Sequence, residues 1–106
     1  MKAQNLDQIA LHTGLNTELL KEICSLAKIS KLDKVVIFGS RARGDYSRAS
    51  DIDLAVTGGD ITEFTLEVEE KTSTLLSYDV LDLNASLHAA LREAIHKEGI
   101  VLYEKI

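Results

Sequence analysis

The chain has 106 residues, 45% of them apolar, with 12 basic and 17 acidic side chains and a net charge of −5. That length supports one domain with one modest core, and the acidic balance excludes tight binding of long nucleic acid, which needs a basic face against the phosphates. A nucleotide is not excluded, because a few local arginines or metal ions balance its charge. Cys24 is the only cysteine, so neither an internal disulfide nor a cysteine-based zinc site is expected, and a reducing cytoplasm fits. No apolar run approaches the ~18 residues of a membrane helix. The N-terminus lacks the apolar segment of a signal peptide.

In chain order, Asn5-Leu6-Asp7-Gln8 reads as a helix start, with Asn5 as N-cap and Gln8 at the third helical position. Gly14 interrupts. Asn16 or Thr17 caps a second helix to about Ser30, with Leu19, Ile23, Leu26 and Ala27 on one stripe. Lys34–Phe38 is the first strand. A polar loop, Gly39–Ser50, opens on a turn or short helix. The second strand, Asp51–Val56, follows and breaks at Gly58-Gly59. Asp60 with Glu63 resembles a capping box for a helix to about Leu76, which would bury Phe64, Val68, Leu75 and Leu76. Tyr78–Leu83 is the third strand. Asn84 or Ser86 caps a helix with Leu87, Leu91, Ala94 and Ile95 on its stripe. Gly99 stops it, and Ile100–Tyr103 forms a last short strand. The sum is an α/β architecture, a small sheet with helices packed on it.

The second strand is unusual because it carries carboxylates. Residues two apart in a strand share a face, so Asp51 and Asp53 project side by side while Ile52 and Leu54 enter the core. Two solvent-facing aspartates at a strand end would be the simplest alternative. Adjacent carboxylates repel unless a cation lies between them or one is protonated, and a hard divalent ion such as Mg²⁺ prefers such oxygens. The preceding loop favours the cation. Gly39 permits close backbone approach, Ser40 adds a hydroxyl, and Arg41 and Arg43 bring charge that reaches phosphate oxygens. Phosphate donors beside metal-binding carboxylates suit phosphoryl or nucleotidyl transfer. The third strand offers Asp79 and Asp82 on opposite faces, so at most one of them readily joins the pair. Alternation alone does not choose between them.

These residues carry a family resemblance. Gly39-Ser40, ten residues, then Asp51-x-Asp53 resembles the signature of the polymerase-β-like nucleotidyltransferases. The string "GSRARGDYSRASDIDLAV" is similar to the minimal nucleotidyltransferases. The likeness extends through "SYDVLDLN" to "LREAIHKEGIVLYEK", from about Lys34 to the C-terminus. It implies a small mixed sheet with packed helices. It also implies one minimal nucleotidyltransferase domain over 1–106, with a helical part at 1–32 and a catalytic core at 33–106. It assigns Asp51 and Asp53 to two Mg²⁺ ions and selects Asp79 as third ligand, with Asp82 as fallback. Gly39 and Ser40, with Arg41 and Arg43, would bind the nucleotide triphosphate. Two-metal chemistry matches those roles: one ion lowers the pKa of the attacking hydroxyl and the other holds the triphosphate. No histidine is required, and His12, His88 and His96 read as surface or half-buried helix residues.

The resemblance further implies transfer of AMP from ATP to a tyrosine of a HEPN-type helical toxin, with this chain as the antitoxin in a hetero-oligomer. A chain of this size has little room for its own acceptor pocket. Two other readings compete. One is a small-molecule nucleotidyltransferase whose substrate site a separate subunit supplies. The other is a non-catalytic partner-binding module. No membrane partner is expected.

Overall fold

The computed structural model describes residues 5–106. Among them follow helices α1 (Leu6–Thr13) and α2 (Thr17–Ile29), strand β1 (Lys34–Phe38), short helix α3 (Gly39–Arg43) and strand β2 (Ile52–Thr57). Then come helix α4 (Ile61–Lys71), strand β3 (Tyr78–Asp82), helix α5 (Ala89–Glu98) and strand β4 (Ile100–Glu104).

Short polar side chains set the helix starts. Asn5 accepts the Gln8 N–H at 2.8 Å and Gln8 returns a bond to the Asn5 N–H, a complete capping box. Asn16, rather than Thr17, caps α2 by accepting from the Leu19 N–H at 2.7 Å. Asp60 caps α4 by accepting from the Glu63 N–H at 3.0 Å. Gly14 ends α1 with φ at 72°, the left-handed region where a side chain is strained.

Strand β2 begins at Ile52, one residue later than expected, and two helix boundaries differ by more than that. Helix α4 stops at Lys71, not near Leu76, and Thr72 takes extended backbone. The hydroxyl of Thr72 bonds that of Tyr78 at 2.7 Å, and the Thr-Ser-Thr run at 72–74 favours such local bonds over helix. Leu75 is consequently fully exposed instead of buried. Helix α5 starts at Ala89, with His88 at the cap position and no side-chain cap bond. Asn84 does not cap it. Its N–H donates to the Asp82 carboxylate at 2.8 Å, an Asx turn that ends β3.

The four strands are ordered β3-β2-β1-β4. β1 is antiparallel to both β2 and β4, and β2 is parallel to β3. A parallel pair needs a crossover, and α4 supplies it. One sheet face presents Val35, Ile37, Ile52, Leu54 and Val56 to a core shared with Ile9 of α1, Leu19, Leu20 and Ile23 of α2, and Phe64 and Val68 of α4. The other face presents Val36, Phe38 and Ala55 to Ile95 of α5, with Leu81, Leu87 and Leu91 half-buried around them. No helix among the described residues is long and apolar enough to cross a membrane.

Candidate active site

The second face is where the carboxylates gather. Alternation along β2 puts Ile52 and Leu54 in the main core and Asp53 on the opposite side. Asp53 lies in register with Phe38 of β1 and with Asp79 of β3. Partners in a parallel ladder share a face, so Asp79 stands beside Asp53. Asp51 lies just outside β2 and is exposed. Asp82 is in register with Val56, which faces the main core, and its carboxylate is bound into its own turn.

Electrostatics register this crowding. Burial, then the charges of Asp79 and Asp51, hold the Asp53 carboxyl above the usual carboxylate range, and Arg43 pulls it partly back. Asp53 therefore feels the charge of both neighbouring carboxylates. Among the described residues they do not form a group of three tight enough to hold a metal ion. Their donor chemistry nevertheless fits a hard divalent ion, which takes carboxylate oxygens. Gly39 completes the close approach. It sits at φ 75°, and a β-carbon there would collide with the Asp53 carboxylate. Glycine is thus required twice at this position, for its backbone angle and for its missing side chain.

Helix α3 leaves the sheet directly from β1, so Ser40 is half-buried beside this corner. The two arginines of α3 take different roles. Arg43 is exposed at the rim, paired to Asp45 at 3.1 Å and to Glu98 of α5 at 3.2 Å. Its charge still reaches Asp53. Arg41 is 2% exposed. Its guanidinium donates to the carbonyls of Ser50, Thr13 and Arg48 and lies over the Tyr46 ring, 4.9 Å from its centroid. Arg41 was expected at the phosphates; it is instead the framework residue that ties the 44–50 loop to α1. The two arginines carry the same charge two residues apart, and no local spacing distinguishes the one that folds inward.

Three other side chains support the corner. His12 donates from Nε2 to the Ala42 carbonyl at 2.6 Å, which joins α1 to α3. Tyr46 covers Arg41 and fills the space beside Gly14. Glu98 links α5 to α3 through Arg43. None of these had a sequence signal, because each depends on elements distant in the chain. His88 and His96 are exposed and lie on or beside α5.

Residues 18–106 match the family model described as Polymerase beta, Nucleotidyltransferase. The chain belongs to that family and is a nucleotidyltransferase with its mixed-sheet fold. Two Methanocaldococcus jannaschii proteins, each named "putative protein adenylyltransferase", are similar to it. One is 32% identical over 69% of this chain and 80% of its own length. The other is 38% identical over 60% and 67% respectively. Among solved structures, a toxin–antitoxin with AMP-PNP aligns with a TM-score of 0.62 at 26% identity, over 81% of this chain and 73% of that one. A mutant of the toxin–antitoxin MntA-HpeT aligns with a TM-score of 0.61 at 26% identity, over 80% and 72%.

Proposed function

We propose that this nucleotidyltransferase is the antitoxin of a toxin–antitoxin pair and transfers AMP from ATP to a hydroxyl, a tyrosine, of a HEPN-type helical toxin. The observation that carries this reading is the in-register pair Asp53 and Asp79, set on one sheet face against Gly39. The names of the adenylyltransferase relatives support the donor chemistry, and the toxin–antitoxin neighbours support the kind of partner.

Asp51, Asp53 and Asp79 would hold the divalent ions, Mg²⁺ in this reading, which supply Lewis acidity and offset charge on the triphosphate. The remaining work belongs to the chain. Gly39 lets the triphosphate come close to the backbone, and the Ser40 hydroxyl donates to a phosphate oxygen. Arg43 steers and neutralises from the rim. The acceptor oxygen forms its bond to the α-phosphorus as the bond to the β-phosphate oxygen breaks, and pyrophosphate leaves. The proton of the acceptor hydroxyl passes to a carboxylate oxygen of this corner. Orientation and electrostatics provide the acceleration.

The test is co-expression with the candidate toxin and labelled ATP. A mass increase of one AMP on the partner, lost with Asp53→Asn, supports the proposal. Label on a small molecule with the partner unmodified overturns it.

A further inference from the structure

A pocket lies on the same sheet face as the carboxylates, at the other end of the strands. It has a volume of about 290 Å³ and lies between β1, β2, the turn after β3 and α5. The register places it away from the carboxylates. Asp53 stands opposite Phe38, whereas Thr57 stands opposite Lys34, four residues along β1 or about 13 Å.

Its chemistry is the opposite of the carboxylate corner. The floor is apolar, with Val36 and Ile95 both buried. The rim carries Lys34 from β1 and, one helical turn apart on α5, Arg92 and His96. Asn84 and Thr57 add neutral hydrogen-bonding groups, and among the described residues no acidic side chain lines the pocket. Arg92 gives one N–H to the Ala85 carbonyl at 3.2 Å, which holds its guanidinium near the turn and leaves other donors. Glu104 is the register partner of Lys34, yet no ion pair joins them among the described residues. In a chain of net charge −5, cationic groups from two elements around an apolar floor form a local exception.

We propose that this pocket is a second ligand site, separate from the nucleotidyl-transfer centre, that takes a small organic anion through its phosphate or carboxylate group. The volume lies at the lower edge of the roughly 300–1,000 Å³ of small-molecule sites. It suits one charged group on a compact apolar body. The floor takes the body, while Lys34 and Arg92 make charge-assisted bonds to the oxygens.

The experiment is an amide NMR titration of the full chain with phenyl phosphate, benzoate and neutral benzyl alcohol. Saturable shifts at Val36, Thr57 and Ile95 are expected with one or both anions, and the tighter anion names the preferred group. Binding should be about 100-fold weaker for benzyl alcohol and in the Lys34→Ala/Arg92→Ala variant, the effect of losing two charge-assisted bonds at about tenfold each. Arg92→Gln, at an exposed helix position, provides a second reading if the double variant does not fold; it should weaken anion binding about tenfold, the loss of one charge-assisted bond, and leave benzyl alcohol unchanged. Shifts that never saturate, equal response to benzyl alcohol, unchanged affinity in the variants, or shifts confined to Gly39, Ser40 and Asp53 would overturn the proposal.

Discussion

Asp53 combines partial burial with two like-charged neighbours, and its pH behaviour follows from that combination. A carboxyl whose pKa is raised by folding favours the folded state most when protonated. That contribution is full below the unfolded value and is lost as pH rises through the folded one. Asp53 therefore works against the metal-free fold at neutral pH. Asp53→Asn should hold or slightly raise the melting temperature at pH 7, a small effect because the group is partly solvated. The difference should vanish below the ordinary carboxylate range. The same variant should lose nucleotidyl transfer about 100-fold or more. A thermal melt across pH and an assay with labelled ATP check both; full activity would end the metal-ligand role. Arg41 makes the contrast. Its buried guanidinium serves three carbonyls, a set that the single ammonium of lysine does not span. Arg41→Lys should destabilise by about 2–4 kcal/mol, read by chemical denaturation. A stable but inactive variant would return Arg41 to the phosphates.

At the scale of elements, the β2–β3 ladder separates two aspartates that the sequence left in competition. Asp79 shares the face of Asp53, while Asp82 closes the turn after β3. Asp79→Ala should lose activity and Mg²⁺ affinity. Asp82→Ala should keep most activity and cost about 1 kcal/mol through its lost turn bond. Paired assays with Mg²⁺ titration decide, and the reverse pattern would move the ligand to Asp82. Strand β1 and the caps at Asn5 and Asp60 were legible because each rests on local spacing: alternation in a strand, or an oxygen three residues before an N–H. Which of Asp79 and Asp82 meets Asp53 was not, because alternation gives faces without saying which face a neighbouring strand shares. The end of α4 was misread for a related reason. The apolar positions at Leu75 and Leu76 continue a helical pattern, while the Thr72 bond to Tyr78 that ends it depends on a strand still to come.

The whole molecule determines whether the helical start and the catalytic core are separable. The sequence resemblance weakens before about Lys34, which invites a division near residue 32. The packing runs across that line. Ile9, Leu15, Leu19, Leu20 and Ile23 are buried in the same cluster as Val35, Ile37, Leu54 and Phe64. Arg41 gives its Nη1 to the Thr13 carbonyl at 2.9 Å, and His12 bonds Ala42. Removing residues 1–15 takes away Ile9 and Leu15, each worth about 1.5–3 kcal/mol when fully buried. It also leaves the Arg41 charge without one of its acceptors, at a further cost of about 1–3 kcal/mol. The total, about 4–9 kcal/mol, is comparable with the whole stability of a domain, about 5–15 kcal/mol. A chain beginning at residue 16 should therefore melt without a cooperative transition or with a much lower midpoint, and its Asp53 corner should lose activity with the fold although no proposed site residue is deleted. Circular-dichroism melts of the full and shortened chains, with the transfer assay run on both, test this. A shortened chain that melts cooperatively near the full-length midpoint would make α1 an appendage and Arg41 self-sufficient.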